Sequence, residues 1–271
     1  SGHDERVWSH SDFHQLIKSG IMWAVGNKVR KSYNNFIAKR TPLKYEKRGN
    51  IPNYERRPEP LQYQLPLSPE DSMKYTQVPV GFRMELFAAE PDVINPIYMA
   101  WDERGRLWVV ETVDYPNEFK DGRNGNDRVK ICEDTDGDGK ADKFTVFADG
   151  FNIPTSMTFA RGGVILAHAP EFYFLKDTDG DDKADVREVM FTGWGVGDTH
   201  AGPSNLRYGF DNWIYGTVGY ARFNGSLGGK QHNFGMGVFR LKSDASDIEF
   251  LHQFNNNTWG LGFNTAGDVF G

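Results

Sequence analysis

A 13-residue unit occurs four times, and that recurrence constrains the fold more than any other feature of this 271-residue sequence. Pro96-Ile-Tyr-Met-Ala-Trp-Asp-Glu-Arg-Gly-Arg-Leu-Trp returns as Pro154-Thr-Ser-Met-Thr-Phe-Ala-Arg-Gly-Gly-Val-Ile-Leu. It returns again as Pro203-Ser-Asn-Leu-Arg-Tyr-Gly-Phe-Asp-Asn-Trp-Ile-Tyr and as Thr258-Trp-Gly-Leu-Gly-Phe-Asn-Thr-Ala-Gly-Asp-Val-Phe, with starts 58, 49 and 55 residues apart. Each copy reads as strand, tight polar turn, strand. Between copies a second hairpin recurs over 129–147, 172–191 and 238–254. Two hairpins per roughly 50 residues make a four-stranded sheet, the size of one propeller blade. A β-sandwich would space its strands similarly but would not alternate two distinct hairpins, and the strand periodicity excludes a helical solenoid. The expected fold is therefore all-β: an incomplete β-propeller over residues 78–271, with about four blades visible and the ring left unclosed.

Composition narrows the class further. At 38% hydrophobic residues the chain is too apolar for disorder, and its 30 glycines follow no triplet period. No apolar run approaches the roughly 18–20 residues that span a bilayer, so no transmembrane segment is expected in this piece. A single cysteine, Cys132, excludes an internal disulfide framework and a cysteine-cluster metal site. The opening Ser-Gly-His, without Met or signal peptide, and the ending inside a strand-like run suggest a piece of a longer protein.

The net charge of -6 conceals segregation. Residues 27–60 hold ten Lys or Arg against three Glu, which is +7; residues 1–26 carry -1, so residues 61–271 carry -12. Aromatics interleaved with this basic stretch could suggest a nucleic-acid patch. Prolines at 42, 52, 58, 60 and 66 fit better with an extended linker over 27–77, lying across an acidic neighbour, and no nucleic-acid partner is expected. Before it, Ser11 or Asp12 can cap a helix with apolar residues Phe13, Leu16, Ile17, Ile21, Met22 and Val25, stopped by Gly26. One apolar stripe implies a partner surface.

Two acidic loops carry the most explicit chemistry. Asp134, Asp136, Asp138 and Asp142, and in the second loop Asp177, Asp179, Asp181 and Asp185, occupy positions 1, 3, 5 and 9. That spacing suits a hard cation such as calcium, with Lys140 and Lys183 placed to add backbone carbonyls at position 7. The first loop keeps Gly139 at position 6 but has Thr145 at position 12; the second has Glu188 at 12 but Asp182 at 6. Flanking strands exclude a helix–loop–helix. The alternative is a pair of solvated turns partly neutralised by the lysines.

His200 precedes the third copy, where an inner strand should begin near the central channel. A histidine there can act as a general base, although isolated histidines are commonly structural hydrogen-bonders. Trp194, Trp213 and Trp259 could line a sugar-binding mouth or pack between blades.

The run His200, Gly202, Leu206, Tyr208, Gly209, Asp211, Ile214, Tyr215 and Gly219 resembles the active-site segment of soluble quinoprotein glucose/sorbosone dehydrogenases. The resemblance implies a six-bladed propeller holding pyrroloquinoline quinone (PQQ) with calcium at the channel mouth, and His200 as the base that takes a hydroxyl proton. It also places Asn257 and Trp259 near the cofactor. The family's arginine is replaced by Asn256, which cannot supply charge to a reduced quinone, so either another cation substitutes, with Arg222 the candidate, or this propeller does not use that cofactor. More widely, Pro79-Val-Gly-Phe, Phe87-Ala-Ala-Glu-Pro and the Asp-Thr-Asp-Gly-Asp loops are similar to the membrane-bound dehydrogenase domain of large exported bacterial proteins. This implies a sugar or related alcohol as substrate, a cytochrome c-type electron acceptor with any haem in a missing downstream domain, and a periplasmic or extracellular location, membrane-associated through regions outside this piece. Gly2, His3, Gly20, Ile21, Trp23 and Ala24 resemble the end of the trehalose-utilisation (ThuA-like) family, so residues 1–26 read as the C-terminal tail of such a domain. The competing expectations are a non-catalytic, calcium-stabilised carbohydrate-binding or scaffold propeller, and a metal-dependent hydrolase or lyase.

Overall fold

The computed structural model describes residues 10–48, 61–116, 119–120 and 124–271. Gly2, His3 and several of the basic linker positions lie outside them. The chain divides into two units, 1–86 and 87–271. No helix among the described residues is long and apolar enough to cross a membrane.

Where an extended linker was expected over 27–77, the described residues include two helices and a two-stranded hairpin. Helix α1 runs Ser11–Ala24 and α2 runs Asn27–Ala38. The cap of α1 is neither Ser11 nor Asp12 but His10, whose Nδ1 accepts the Asp12 amide at 3.3 Å. Gly26 does mark the break, serving as N-cap of α2. The α1 stripe stays open, with Leu16, Ile17 and Ile21 exposed. Strand β1 (Tyr45–Arg48) pairs antiparallel with β2 (Leu61–Gln64), and a short helix α3 (Pro69–Met73) follows, capped by Ser68.

The second unit is all-β, and its sheets follow the repeats. β3 (Pro96–Trp101), β4 (Leu107–Glu111), β5 (Asp127–Glu133) and β6 (Lys143–Phe151) form one antiparallel sheet in that order. β7 (Ser156–Ala160), β8 (Gly163–His168), β9 (Glu171–Lys176) and β10 (Val186–Thr192) form the next. The third takes β11 (Pro203–Tyr208), β12 (Ile214–Val218), β15 (Gly237–Leu241) and β16 (Ile248–Gln253). The inserted hairpin β13 (Phe223–Leu227)–β14 (Lys230–Phe234) has no counterpart in the other sheets among the described residues. β17 (Gly262–Phe263) and β18 (Val269–Phe270) are the hairpin of the fourth copy.

The turns explain why this sequence makes these hairpins. Asp102 Oδ1 accepts the amides of Arg104 and Arg106, each at 2.9 Å, closing the first turn. Asn264 does the same for Ala266 and Asp268 in the fourth. In the second copy Arg161 and Gly162 both take positive φ (54° and 71°), the two-residue turn that matches strand twist.

First strands converge, as the inner strands of a propeller must. Leu206 N on β11 donates to Ser156 Oγ on β7 at 2.9 Å, while Tyr98 Oη on β3 donates to the Leu206 carbonyl at 2.8 Å. Between the sheets lie apolar cores. Trp108, Phe147, Phe151, Met157 and Leu166 join the first to the second. Phe172, Phe191, Trp194, Phe223 and Phe239 join the second to the third. Trp194 is 2% exposed and packs on Phe172, Phe223 and Phe239 at 4.7–5.3 Å between centroids, so its place is the inter-blade core and not a sugar-binding wall.

Candidate functional site

The connection from β10 to β11 crosses one end of the inner strands and carries Asp198, Thr199 and His200. Asp198 folds back on this connection. Its Oδ1 accepts the His200 amide at 2.8 Å and lies 3.1 Å from His200 Nδ1. A carboxylate only accepts, so Nδ1 is the nitrogen that donates, and in the neutral imidazole the lone pair is then on Nε2. The imidazole is 57% exposed. It is flanked by Tyr115, from the β4–β5 loop of the first sheet, with ring centroids 5.3 Å apart and planes at 75°. Thr199 Oγ1 donates to the Pro116 carbonyl at 3.2 Å and is 3.3 Å from Nδ1.

Asn257 approaches the same end from the β16–β17 connection. A Cβ at Gly219 would fall 1.7 Å from Asn257 Oδ1 and 3.1 Å from the Ala201 Cα, so only glycine fits there. Asn257 Oδ1 is buried without a hydrogen-bond partner among the described residues. Gly219 itself bonds back to Ala201, the residue after His200. The structure thus gathers Ala201, next to His200, with Gly219 and Asn257 from three connections around the end of β12. Asn256 is engaged by Tyr220 Oη and by the Asn257 amide. Arg222 is exposed at a positive φ of 62° on the connection that carries Tyr220, with no ion pair among the described residues. Trp259 is about half exposed, whereas Trp213 is covered by Arg240 and Lys242 over its ring.

Much of the motif that pointed here is hairpin architecture. Asp211 accepts the Trp213 amide, Tyr215 Oη at 2.9 Å and Arg240 Nη1 at 2.7 Å. A Cβ at Gly209 would collide with the Tyr215 ring at 2.4 Å. The residues absent from the sequence reading are Asp198 and Tyr115. An aspartate two before a histidine is a detectable signal; a tyrosine 85 residues away is not.

The acidic loops join β5 to β6 and β9 to β10, at the other end of these strands from the β4–β5 loop that carries Tyr115. Carboxylate oxygens of Asp134, Asp136 and Asp138 lie within 4.8 Å of one another, as do those of Asp177, Asp179 and Asp185. Asp142, which accepts from Thr135, and Asp181, which accepts from the Lys183 amide, lie outside these triplets. Lys140 is held by its amide on Asp138. Backbone amides, led by Gly139 for Asp134 and Gly180 for Asp177, hold both first-position carboxyls below the usual range. Asp182, which replaces the expected glycine, takes φ of 64° and pairs with Arg106 Nη1 at 2.8 Å. Arg106 is buried and pairs in turn with Asp102, which also accepts Trp108 Nε1. The second loop is thereby fastened to the first sheet.

A cavity of about 480 Å³ opens beside that ion pair, lined by Arg104, Arg161, Trp108, Phe159, Asp177 and Tyr208.

A family model described as "Domain of unknown function (DUF7133)" matches residues 68–271. No curated protein matches. Among solved structures, the chain is similar to carbohydrate-active enzymes of family AA12 from Trichoderma reesei. The iodide structure is 13% identical at a TM-score of 0.37, over 51% of this chain and 32% of that one. The calcium structure is 13% identical at 0.34, over 48% and 30%. A Thermus thermophilus protein described as an oxidoreductase (glucose dehydrogenase) is 19% identical at 0.30, over 46% and 39%. The chain spans about a third of the length of the solved proteins it matches.

Proposed function

We propose, for a chain that belongs to the DUF7133 family, an oxidoreductase function in which a sugar or related alcohol loses its hydroxyl proton to His200. The observation that carries this is the Asp198–His200 pair at 3.1 Å, which makes Nε2 the lone-pair nitrogen of the neutral imidazole, on a side chain more than half exposed just before β11. Asp198 favours this tautomer and offsets the positive charge that forms when Nε2 accepts a proton. Tyr115 covers one flank of the imidazole.

The residues around His200 fit a bound quinone cofactor in part. The buried Asn257 oxygen without a partner and the glycine-only cradle at 219 suit a polar ring system, and Arg222, outside any ion pair among the described residues, is the cation available to an anionic one. PQQ, when bound, supplies the two-electron acceptor for the hydride. Calcium is proposed at the two carboxylate triplets, where each oxygen cluster suits a hard cation and the backbone amides keep the leading aspartates ionised. A cytochrome c-type acceptor would take the electrons onward.

The test is dye reduction by full-length protein loaded with PQQ and calcium. A sugar-dependent rate should fall roughly 100-fold or more in His200→Gln. Equal rates in both proteins would remove His200 from the chemistry. No rate with any sugar or alcohol would favour the second reading, a calcium-stabilised carbohydrate-binding propeller, to which the openness of the His200 ring is equally suited.

A further inference from the structure

The loop that brings Tyr115 to His200 is braced far more heavily than a solvent loop requires. Asp114, the residue before Tyr115, is buried, and its carboxylate accepts Lys120 Nζ at 2.6 Å, the Asn126 amide at 2.9 Å, Asn126 Nδ2 at 3.0 Å and Asn152 Nδ2 at 3.1 Å. The Asp114 amide is itself held by buried Asp127 at 2.9 Å. At Gly125 a Cβ would fall 2.1 Å from Asp114 Oδ2, so the return leg of the loop is pressed against the same carboxylate. None of these bonds involves His200. Among the described residues, the loop reaches toward the imidazole through Tyr115 and the Pro116 carbonyl.

We infer that this braced loop is a positioning element for His200: Pro116 orients the Thr199 hydroxyl, and Tyr115 fixes the imidazole plane, so that Nε2 alone is presented as the base. The hydrogen-bond directions require it. The Pro116 carbonyl can only accept, so the Thr199 proton points at Pro116 and a lone pair faces His200 Nδ1. Nδ1–H then meets two acceptors, Thr199 Oγ1 and Asp198 Oδ1, and the alternative tautomer would set an unprotonated Nδ1 against both. On an imidazole this exposed, the contact with Asp198 alone is weak and leaves the ring free to turn about it. An edge-on aromatic at 5.3 Å restricts that rotation sterically. Tyr115 and Thr199 are therefore positioning residues. Their role rests on the reading of His200 as the proton acceptor, but their effect on the tautomer does not.

The experiment is ¹⁵N NMR of histidine-labelled full-length protein above the imidazole titration range, with His200 assigned by its loss in His200→Gln. The wild type should show one neutral tautomer with the proton on Nδ1. Thr199→Val and Tyr115→Leu should give mixed tautomers, while Thr199→Ser and Tyr115→Phe keep the wild-type signal. In the loaded enzyme, the Val and Leu variants should lose roughly tenfold or more in kcat with KM changed less than about twofold. A single unchanged tautomer in Thr199→Val and Tyr115→Leu would overturn the inference. Loss of activity in no variant, His200→Gln included, would instead overturn the proton-acceptor reading.

Discussion

Asp182 carries two effects of opposite sign that can be weighed. Its positive φ costs a non-glycine residue about 1 kcal/mol, which glycine would recover. Its carboxylate bonds the buried Arg106 guanidinium, an interaction of roughly 2 kcal/mol for a charged hydrogen bond with little solvent exposure. Asp182→Gly would therefore bring the loop closer to the calcium-loop pattern yet lower stability by about 1 kcal/mol, measurable by denaturant titration; a gain in stability would show the pair to be inert. Gly219→Ala is simpler. The added methyl has no room beside Asn257 and Ala201, so dye reduction should fall at least about tenfold with the melting temperature also lowered. At this scale the sequence showed which residues recur but not what they touch. Asp182 looked like a defect in a metal loop because its partner is 76 positions away. His200 was singled out through its motif. Tyr115, reaching across from another sheet, had no local signature.

Among elements, the acidic loops and the braced β4–β5 loop respond to solution conditions in ways fixed by their charges. Each aspartate triplet repels itself without a cation, so chelation of calcium should lower the melting temperature and added calcium restore it. A melting curve indifferent to chelator would leave the loops as solvated turns. Asp114 gives a pH dependence. Burial raises its carboxyl, but hydrogen bonds from Lys120, Asn126 and Asn152 outweigh that and hold it at about 2. A depressed pKa contributes stability that is present above the unfolded value near 4 and lost as pH falls toward 2, about 2 kcal/mol in all. Asp127, pushed up by burial, works in the opposite sense. Hydrogen exchange in the described part of residues 112–126 should accelerate between about pH 4 and pH 2 in the wild type and much less in Asp114→Asn; equal acceleration would contradict the bracing. The hairpins themselves were legible because turn chemistry and alternation are local. The β13–β14 insertion was not, being a single unrepeated hairpin, and α2 was hidden by the prolines that follow it.

The second unit as a whole is held by what lies between its sheets. Each sheet buries aromatic residues against the next, and Trp194 sits at the centre of one such layer. Trp194→Ala should cost roughly 3–5 kcal/mol, the cost of a large aromatic removed from a closed core, and unfolding by near-ultraviolet circular dichroism would register it. The repeat of hairpins made this architecture readable, since each blade restates the same strand order. The division of the chain at residues 86 and 87 was less so, because charge and proline content shift gradually there. On the proposed function, chemistry sits at the His200 end of the inner strands and the 480 Å³ cavity beside Arg106 has no role in it. An experimental structure of the full-length protein soaked with a sugar or alcohol substrate decides between the two ends. A substrate hydroxyl is expected about 3 Å from His200 Nε2, with Tyr115 against the imidazole. Substrate seated instead between Arg161, Trp108 and Tyr208, with the His200 end empty, would contradict it.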